Sequence, residues 1–112
     1  MAQVKWVMDP AMEEVKFMLQ NKVRGAFYIM VSTEKVAEMI VGVSGNRLNV
    51  YHTEFSGMES GNTRAIKLFE NMVTYARNHR VKVVPFCAYV LGRFKINPES
   101  YADIWEKQDD DE

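Results

Sequence analysis

The chain has 112 residues, of which 47% are apolar and 26% charged, and its net charge is −1. This composition is typical of a folded globular protein and excludes a disordered chain. The near-neutral charge argues against a nucleic-acid partner, which usually requires a clearly basic surface. The length predicts one domain over residues 1–107, in which residues 1–13 are the hardest to assign, and a disordered acidic tail at 108–112.

Cysteine content and hydrophobicity predict a cytoplasmic protein. Cys87 is the only cysteine, so no disulfide can form within the chain. We expect neither a signal peptide nor a membrane partner, because no run approaches the ~18 apolar residues that span a bilayer. His52, His79 and Cys87 do not have the spacing of metal ligands, so no metal site is predicted.

The first half of the chain predicts an antiparallel meander. Apolar and polar residues alternate over 14–20, which favours a strand, although Asp9 and Pro10 are also typical of a helix start. Two further strands are predicted at 27–31 and 36–43, where β-branched and aromatic residues are frequent.

Gly45 and Asn46 predict a tight hairpin that leads into a strand over residues 48–55. Strict alternation puts four residues on one face of this strand: Leu48, Val50, His52 and Glu54. The other face then carries Tyr51, Thr53 and Phe55. Large side chains on both faces predict a central strand that is covered on both sides.

An amphipathic helix is predicted from about Asn62 to Arg80, because apolar residues recur there every three or four positions. The strand at 81–87 then runs parallel to 48–55 in a right-handed β-α-β unit. Pro85 has no N–H to donate, so the two parallel strands should part near it and leave a cleft. Unpaired N–H groups at the helix start form an anion site beside that cleft.

A second helix is predicted at 88–96, and a further helical turn starts at Asn97. In that turn Tyr101 and Trp105 share one face, where they either cap the core or contact a second subunit in a homodimer. The predicted fold class is therefore α+β: an antiparallel meander followed by a β-α-β crossover, with a mixed central sheet and helices on both faces.

Five short segments follow one another along residues 26–105: His52-Thr53-Glu54, residues 60–65, Tyr75-Ala76-Arg77, residues 83–87 and Pro98-Glu99-Ser100-Tyr101. Their order and spacing, together with the predicted elements, resemble the GNAT acyltransferase superfamily, and most closely its small single-domain members. The resemblance implies transfer of an acetyl group from acetyl-CoA, as co-substrate, to a small amine or a protein amine.

The resemblance also implies where acetyl-CoA binds. The pantetheine arm would pair with backbone at 53–58, which includes Thr53, Glu54 and Phe55. The pyrophosphate would rest on the helix start, at Ser60, Gly61, Asn62, Thr63, Arg64 and Ala65.

This segment departs from the superfamily pattern Q/R-x-x-G-x-G/A. Only Ala65 matches a specified position, while Ser60 replaces the Gln or Arg and Thr63 replaces a glycine. A threonine crowds a phosphate that approaches the backbone. The departures keep an alternative open, namely a binding module that holds CoA or a protein partner without turnover.

Three side chains are candidate catalytic groups, and each has a structural alternative. Cys87 is either a small buried apolar residue or the group that protonates the leaving thiolate or carries the acyl group. His52 is either a half-buried imidazole or a base near Cys87. Tyr89 either packs or gives a proton to the departing thiolate. The resemblance implies in addition that a backbone N–H of strand 48–55 stabilises the oxyanion.

Overall fold

The computed structural model of the protein describes residues 14–21, 23–56 and 58–107, and for residues 58–62 it describes the backbone alone. The expectations for residues 1–13 and for the tail 108–112 lie outside the described residues. Five strands are present: β1 (Val15–Leu19), β2 (Arg24–Val31), β3 (Glu34–Ser44), β4 (Arg47–Phe55) and β5 (Lys82–Pro85). They form one sheet in chain order, in which β1 to β4 are antiparallel neighbours and β5 runs parallel to β4.

The helices are α1 (Met58–His79), α2 (Ala88–Ile96) and a short 3-10 helix (Pro98–Tyr101). α1 connects β4 to β5 as the crossover of the predicted β-α-β unit. It begins at Met58, four residues before the predicted start at Asn62. β5 is shorter than predicted because the chain leaves the sheet after Pro85 and turns into α2.

Two tight turns set the register of the meander. Between β1 and β2 the side-chain oxygen of Asn21 accepts hydrogen bonds from the backbone N–H groups of Val23 (2.8 Å) and Arg24 (2.9 Å). Between β3 and β4 Gly45 has φ +60°, a left-handed conformation that glycine adopts without strain. The hairpin predicted at Gly45 and Asn46 is confirmed.

One face of the sheet, the core face, carries the hydrophobic core. Fully or almost fully buried side chains alternate along three strands: Phe27, Ile29, Met39, Val41, Leu48 and Val50. α1 covers them with Leu68, Phe69 and Met72, each at most 1% exposed. The ring of Phe69 also contacts Phe94 of α2 at 5.7 Å between centroids, so α2 packs on the same face.

The opposite face of the sheet, called the second face, differs from the core face in its helix cover. The α+β class is confirmed, but within the described residues both helices lie on the core face and none covers the second face. The expectation of helices on both faces therefore has no support in this part of the chain. Trp105 belongs to the core, at 9% exposed, and Tyr101 is partly buried and packs against the core on Phe69.

β4 contains a bulge at Tyr51. Val50 and His52 pair with the consecutive residues Val41 and Ile40 of β3, which leaves Tyr51 as an extra residue without a partner in the β3 ladder. Because one extra residue shifts the two-residue side-chain period, the residues after the bulge point to the faces opposite to those that unbroken alternation predicts.

The bulge overturns the predicted faces of the second half of β4. Thr53 lies opposite Met39, a fully buried core residue, so Thr53 faces the core side. His52 lies opposite Ile40 and Glu54 lies opposite Glu38, both on the second face. The predicted face shared by Leu48, Val50, His52 and Glu54 was wrong, since it assumed an uninterrupted strand.

Candidate functional site

The parallel strands β4 and β5 part as the position of Pro85 predicts. Their pairing ends at Val50 and Pro85, while β4 continues to Phe55. Beyond that pair no described residue of β5 lies beside β4, because proline cannot donate to the ladder and the chain turns away into α2. The result is a gap between the last five residues of β4 and the segment that joins β5 to α2.

Thr53 and Cys87 meet across this gap. The hydroxyl oxygen of Thr53 lies 3.3 Å from the sulfur of Cys87, a distance at which either group can donate a hydrogen bond. Cys87 is 7% exposed and belongs to the core, while Thr53 is half-buried. The thiol therefore lies at the base of the gap, on its core side, as a buried group with one polar contact.

His52 does not meet Cys87. Its Nε2 lies 2.8 Å from a carboxylate oxygen of Glu54, and both side chains are exposed on the second face. The sequence-based placement of His52 beside the thiol is wrong for this reason, and Thr53 occupies that place instead. What the structure brings together is an imidazole and a carboxylate, an arrangement in which the carboxylate orients the ring.

Tyr89 lies in the first turn of α2. Its ring packs edge-on against Phe69 at 6.4 Å between centroids, and its hydroxyl is buried without a hydrogen-bond partner among the described residues. Burial raises the pKa of Tyr89 above its usual value, and Arg93 only partly offsets this effect. The Tyr89 hydroxyl therefore stays protonated, and its O–H group donates to no described residue.

The predicted pyrophosphate segment is helical. Residues 60–65 lie in the first turns of α1, so the backbone N–H groups without a partner inside the helix belong to the stretch that begins at Met58. Thr63 is exposed and Ala65 is fully buried. The guanidinium of Arg64 donates to the backbone carbonyl of Ser56 at 2.8 Å, which ties the helix start to the end of β4.

A cavity of about 460 Å³ lies at the same end of the sheet. It is lined by residues 35–38 of β3, residues 53–55 of β4 and the following Ser56. Three of the residues predicted to hold acetyl-CoA are therefore in its wall: Thr53, Glu54 and Phe55. Phe55 is 47% exposed, which leaves its ring accessible to a ligand.

Sequence reasoning missed two relationships of this site. The structure shows Thr53 against Cys87 and Glu54 against His52, two contacts that were not predicted, and the role of Thr53 and Glu54 in holding acetyl-CoA stays a prediction. The Thr53–Cys87 contact follows from the bulge, which no pattern within β4 itself predicts, whereas His52 and Glu54 share a face in any extended strand and the bulge decides only which face that is. The part of the chain that the structure describes contains no group of three or more His, Cys, Asp or Glu side chains placed to hold a metal.

Comparison with known proteins points to one family. A family model for GCN5-related N-acetyltransferases matches residues 26–104. The solution structure of a GCN5-like protein from Staphylococcus aureus, provisionally assigned as an N-acetyltransferase, superposes with a TM-score of 0.59 and 22% identity, covering 89% of this chain and 96% of that one. No curated protein matches. No described helix has the length and hydrophobicity to cross a membrane.

Proposed function

Because the chain belongs to the GCN5-related N-acetyltransferase family, we propose that it transfers an acetyl group from acetyl-CoA to an amine. The observation that carries the proposal is the gap between β4 and β5. It exposes strand backbone beyond Val50 and Pro85, with the Thr53–Cys87 contact on one side and the His52–Glu54 pair on the other. A thioester in this gap has nucleophile-activating and proton-donating groups on opposite sides.

Acetyl-CoA fits this arrangement as a substrate. Its pantetheine amides would pair with the backbone of β4 at 51–55, which β5 leaves without a parallel partner. The pyrophosphate would rest at the start of α1, where unpaired N–H groups and the helix dipole favour an anion. Because α1 starts at Met58, the proposed anion site is nearer to β4 than residues 60–65 would be.

His52 is the proposed base for the acceptor amine. Its imidazole is accessible on the second face, and its contact with Glu54 leaves the second ring nitrogen available for a proton. The amine forms a bond to the thioester carbon, and His52 takes the proton released from nitrogen. A backbone N–H at the bulge would stabilise the oxyanion of the tetrahedral intermediate by donating a hydrogen bond to it, before the carbon–sulfur bond breaks.

The departing thiolate requires a proton, and two groups on the core side are suited to give it. The Tyr89 hydroxyl is protonated and has no competing acceptor among the described residues. Cys87 is the alternative donor, and it can instead carry the acetyl group as a thioester between two transfers. Mass spectrometry after incubation with acetyl-CoA separates these roles, because an acyl carrier gains an acetyl group on Cys87.

A second function has one observation in its favour. Thr63 and Ser60 depart from the superfamily pattern at the positions that approach the pyrophosphate. A chain that binds CoA or a protein partner without turnover is the resulting alternative. It predicts that acetyl-CoA binds and remains intact in the presence of amines.

Titration of an isotope-labelled sample with acetyl-CoA, followed by acetyl transfer to an amine panel, tests the proposal. Backbone amide signals at 51–56 and 58–64 should shift. His52→Gln should lower kcat/KM by about 10²-fold or more, as for the loss of a general base, and leave acetyl-CoA binding unchanged. His79→Gln is the matched control, because His79 lies at the far end of α1 and contacts the carbonyl of Tyr75. Unshifted amides at millimolar acetyl-CoA reject the proposal.

A further inference from the structure

An aromatic pair lies at the point where β4 and β5 part. The rings of Tyr51 and Phe86 stack at 5.6 Å between centroids with 14° between their planes. Tyr51 is the extra residue of the bulge, and Phe86 directly follows Pro85, the last paired residue of β5. The side chains are 39% and 61% exposed. Two large exposed rings thus border the gap at the point where it begins.

Tyr51 is held in a fixed position from three directions. A Cβ at Gly42 would come within 2.9 Å of the Tyr51 ring, so the ring lies directly over a position that has no side chain. The guanidinium of Arg24 lies 5.4 Å from the ring centroid, and the amide of Asn49 donates to the hydroxyl over 3.4 Å. A ring with this support is preorganised, which lowers the entropy cost of binding on it.

Both rings are on the second face, the same face as His52. The register places Asn49 opposite Gly42 and His52 opposite Ile40, and the bulge keeps Asn49, Tyr51 and His52 on this side of β4, while Val50 between them faces the core. The aromatic pair is therefore continuous with the proposed base. A molecule whose amine reaches His52 can place the rest of its body against Phe86 and Tyr51.

From this geometry we propose that Tyr51 and Phe86 form the acceptor-recognition surface, and that the acceptor is an alkylamine that bears an aromatic ring. The inference rests on the proposed function and names its acceptor class. The exposed face of Phe86 is flat and apolar, which suits a stacked ring. Arg24 already places a positive charge on one side of Tyr51, which disfavours the additional ammonium groups that a polyamine would bring against these rings.

The first test compares three amines as acceptors with the full-length protein: 2-phenylethylamine, hexylamine and spermidine. 2-Phenylethylamine should have the highest kcat/KM. Phe86→Ala should lower kcat/KM for this amine about threefold to tenfold through a higher KM, which is the scale of one aromatic contact. Phe86→Leu, which keeps the apolar volume without a ring, should give a similar loss, while hexylamine should be affected less.

Ile96→Ala is the matched control, because Ile96 is a large apolar residue, 81% exposed, at the far end of α2. It should leave all three amines unchanged. A preference for spermidine, or equal kinetics in the wild type and Phe86→Ala, overturns the inference while leaving acetyl transfer intact. Acetyl-CoA binding in Phe86→Ala should equal that of the wild type.

Direct binding decides the inference even if no amine is acetylated. Titration with 2-phenylethylamine alone should shift the ring signals of Tyr51 and Phe86, and Phe86→Ala should abolish the shift at Tyr51. Absence of any shift at these rings at saturating amine contradicts the recognition surface. If ring shifts occur without acetyl transfer, the recognition surface stands and the proposed transferase activity fails.

Discussion

The side chains of Thr53 and Cys87 are in contact across the gap between β4 and β5, with 3.3 Å between the hydroxyl oxygen and the sulfur. Backbone pairing between the two strands ends earlier, at Val50 and Pro85. The bulge at Tyr51 is responsible for the contact between Thr53 and Cys87, because without the bulge His52 would face the core side in place of Thr53. The environment of Cys87 therefore depends on the bulge in β4, which is distant from the cysteine in sequence.

A double-mutant cycle measures this contact. Thr53→Val and Cys87→Ala should each destabilise the protein, and the double variant should lose less than the sum, with a coupling of about 0.5–1.5 kcal/mol. Thr53→Ser keeps the hydroxyl and should retain the coupling. Urea unfolding of the wild type, the single variants and the double variants of Thr53→Val and Thr53→Ser with Cys87→Ala provides the free energies, and additive losses for Thr53→Val and Cys87→Ala would show that the two groups do not interact.

Much of the fold follows from sequence because its determinants are local. Gly45 and Asn46 predict a hairpin from turn chemistry, and the apolar stripe of α1 predicts its inner face. Pro85 predicts the end of strand pairing because it lacks an N–H. These features depend on the residue itself or on its near neighbours, and the structure agrees with each of them.

The site was harder to predict because its determinants are distant in sequence. The bulge depends on how β4 registers against β3, and Tyr51 is supported by Gly42, Arg24 and Phe86 from three other segments. Unbroken alternation was the natural assumption for β4, and it put His52 on the wrong face. The start of α1 was misjudged because Gly61 and Asn62 have low helix propensity, yet the helix includes them.

Tyr89→Phe should raise the stability of the folded protein. The Tyr89 hydroxyl is buried without a partner among the described residues, so its removal relieves a desolvation cost of about 1 kcal/mol. If Tyr89 protonates the thiolate, kcat falls in the same variant. Thermal unfolding and steady-state kinetics report the two effects separately.

The raised pKa of Tyr89 adds a pH dependence to this comparison. The unfolded chain loses the phenolic proton near its usual value of about 10, while the folded chain keeps it to higher pH. Wild-type stability should therefore fall as pH rises through about 10, and the advantage of Tyr89→Phe should widen there. A constant difference between the two proteins from neutral to alkaline pH would contradict this account.

Two glycines should respond in opposite ways to alanine. At Gly25 an added Cβ would clash with the backbone carbonyl of Met18 on β1, so Gly25→Ala should destabilise the protein by about 1–3 kcal/mol. At Gly92, inside α2, nothing lies within 4 Å of the added Cβ. Gly92→Ala should stabilise by about 0.5–1 kcal/mol through helix propensity. Urea midpoints that move in the same direction for both variants would contradict the described packing.

Arg77 and Asp103 tie the end of α1 to the segment after the 3-10 helix. The guanidinium donates to both carboxylate oxygens, at 2.9 and 3.2 Å, and to the carbonyl of Ser100 at 2.6 Å. The hydrogen bond from Arg77 lowers the pKa of Asp103 below its usual value. Both side chains are about half exposed, so Asp103→Asn should cost less than about 1 kcal/mol at neutral pH.

The pH dependence of this pair follows from the lowered pKa of Asp103. Because the folded carboxyl holds its proton less tightly than the unfolded one, its contribution is complete above the usual carboxyl range of about 4 and disappears as pH falls through the lower folded value. The stability difference between wild type and Asp103→Asn should therefore shrink from about pH 5 to about pH 2. Added salt should reduce it at neutral pH, since the pair is solvent-exposed. A difference that is unchanged at acidic pH would mean that Asp103 stabilises the fold through packing and not through its charge.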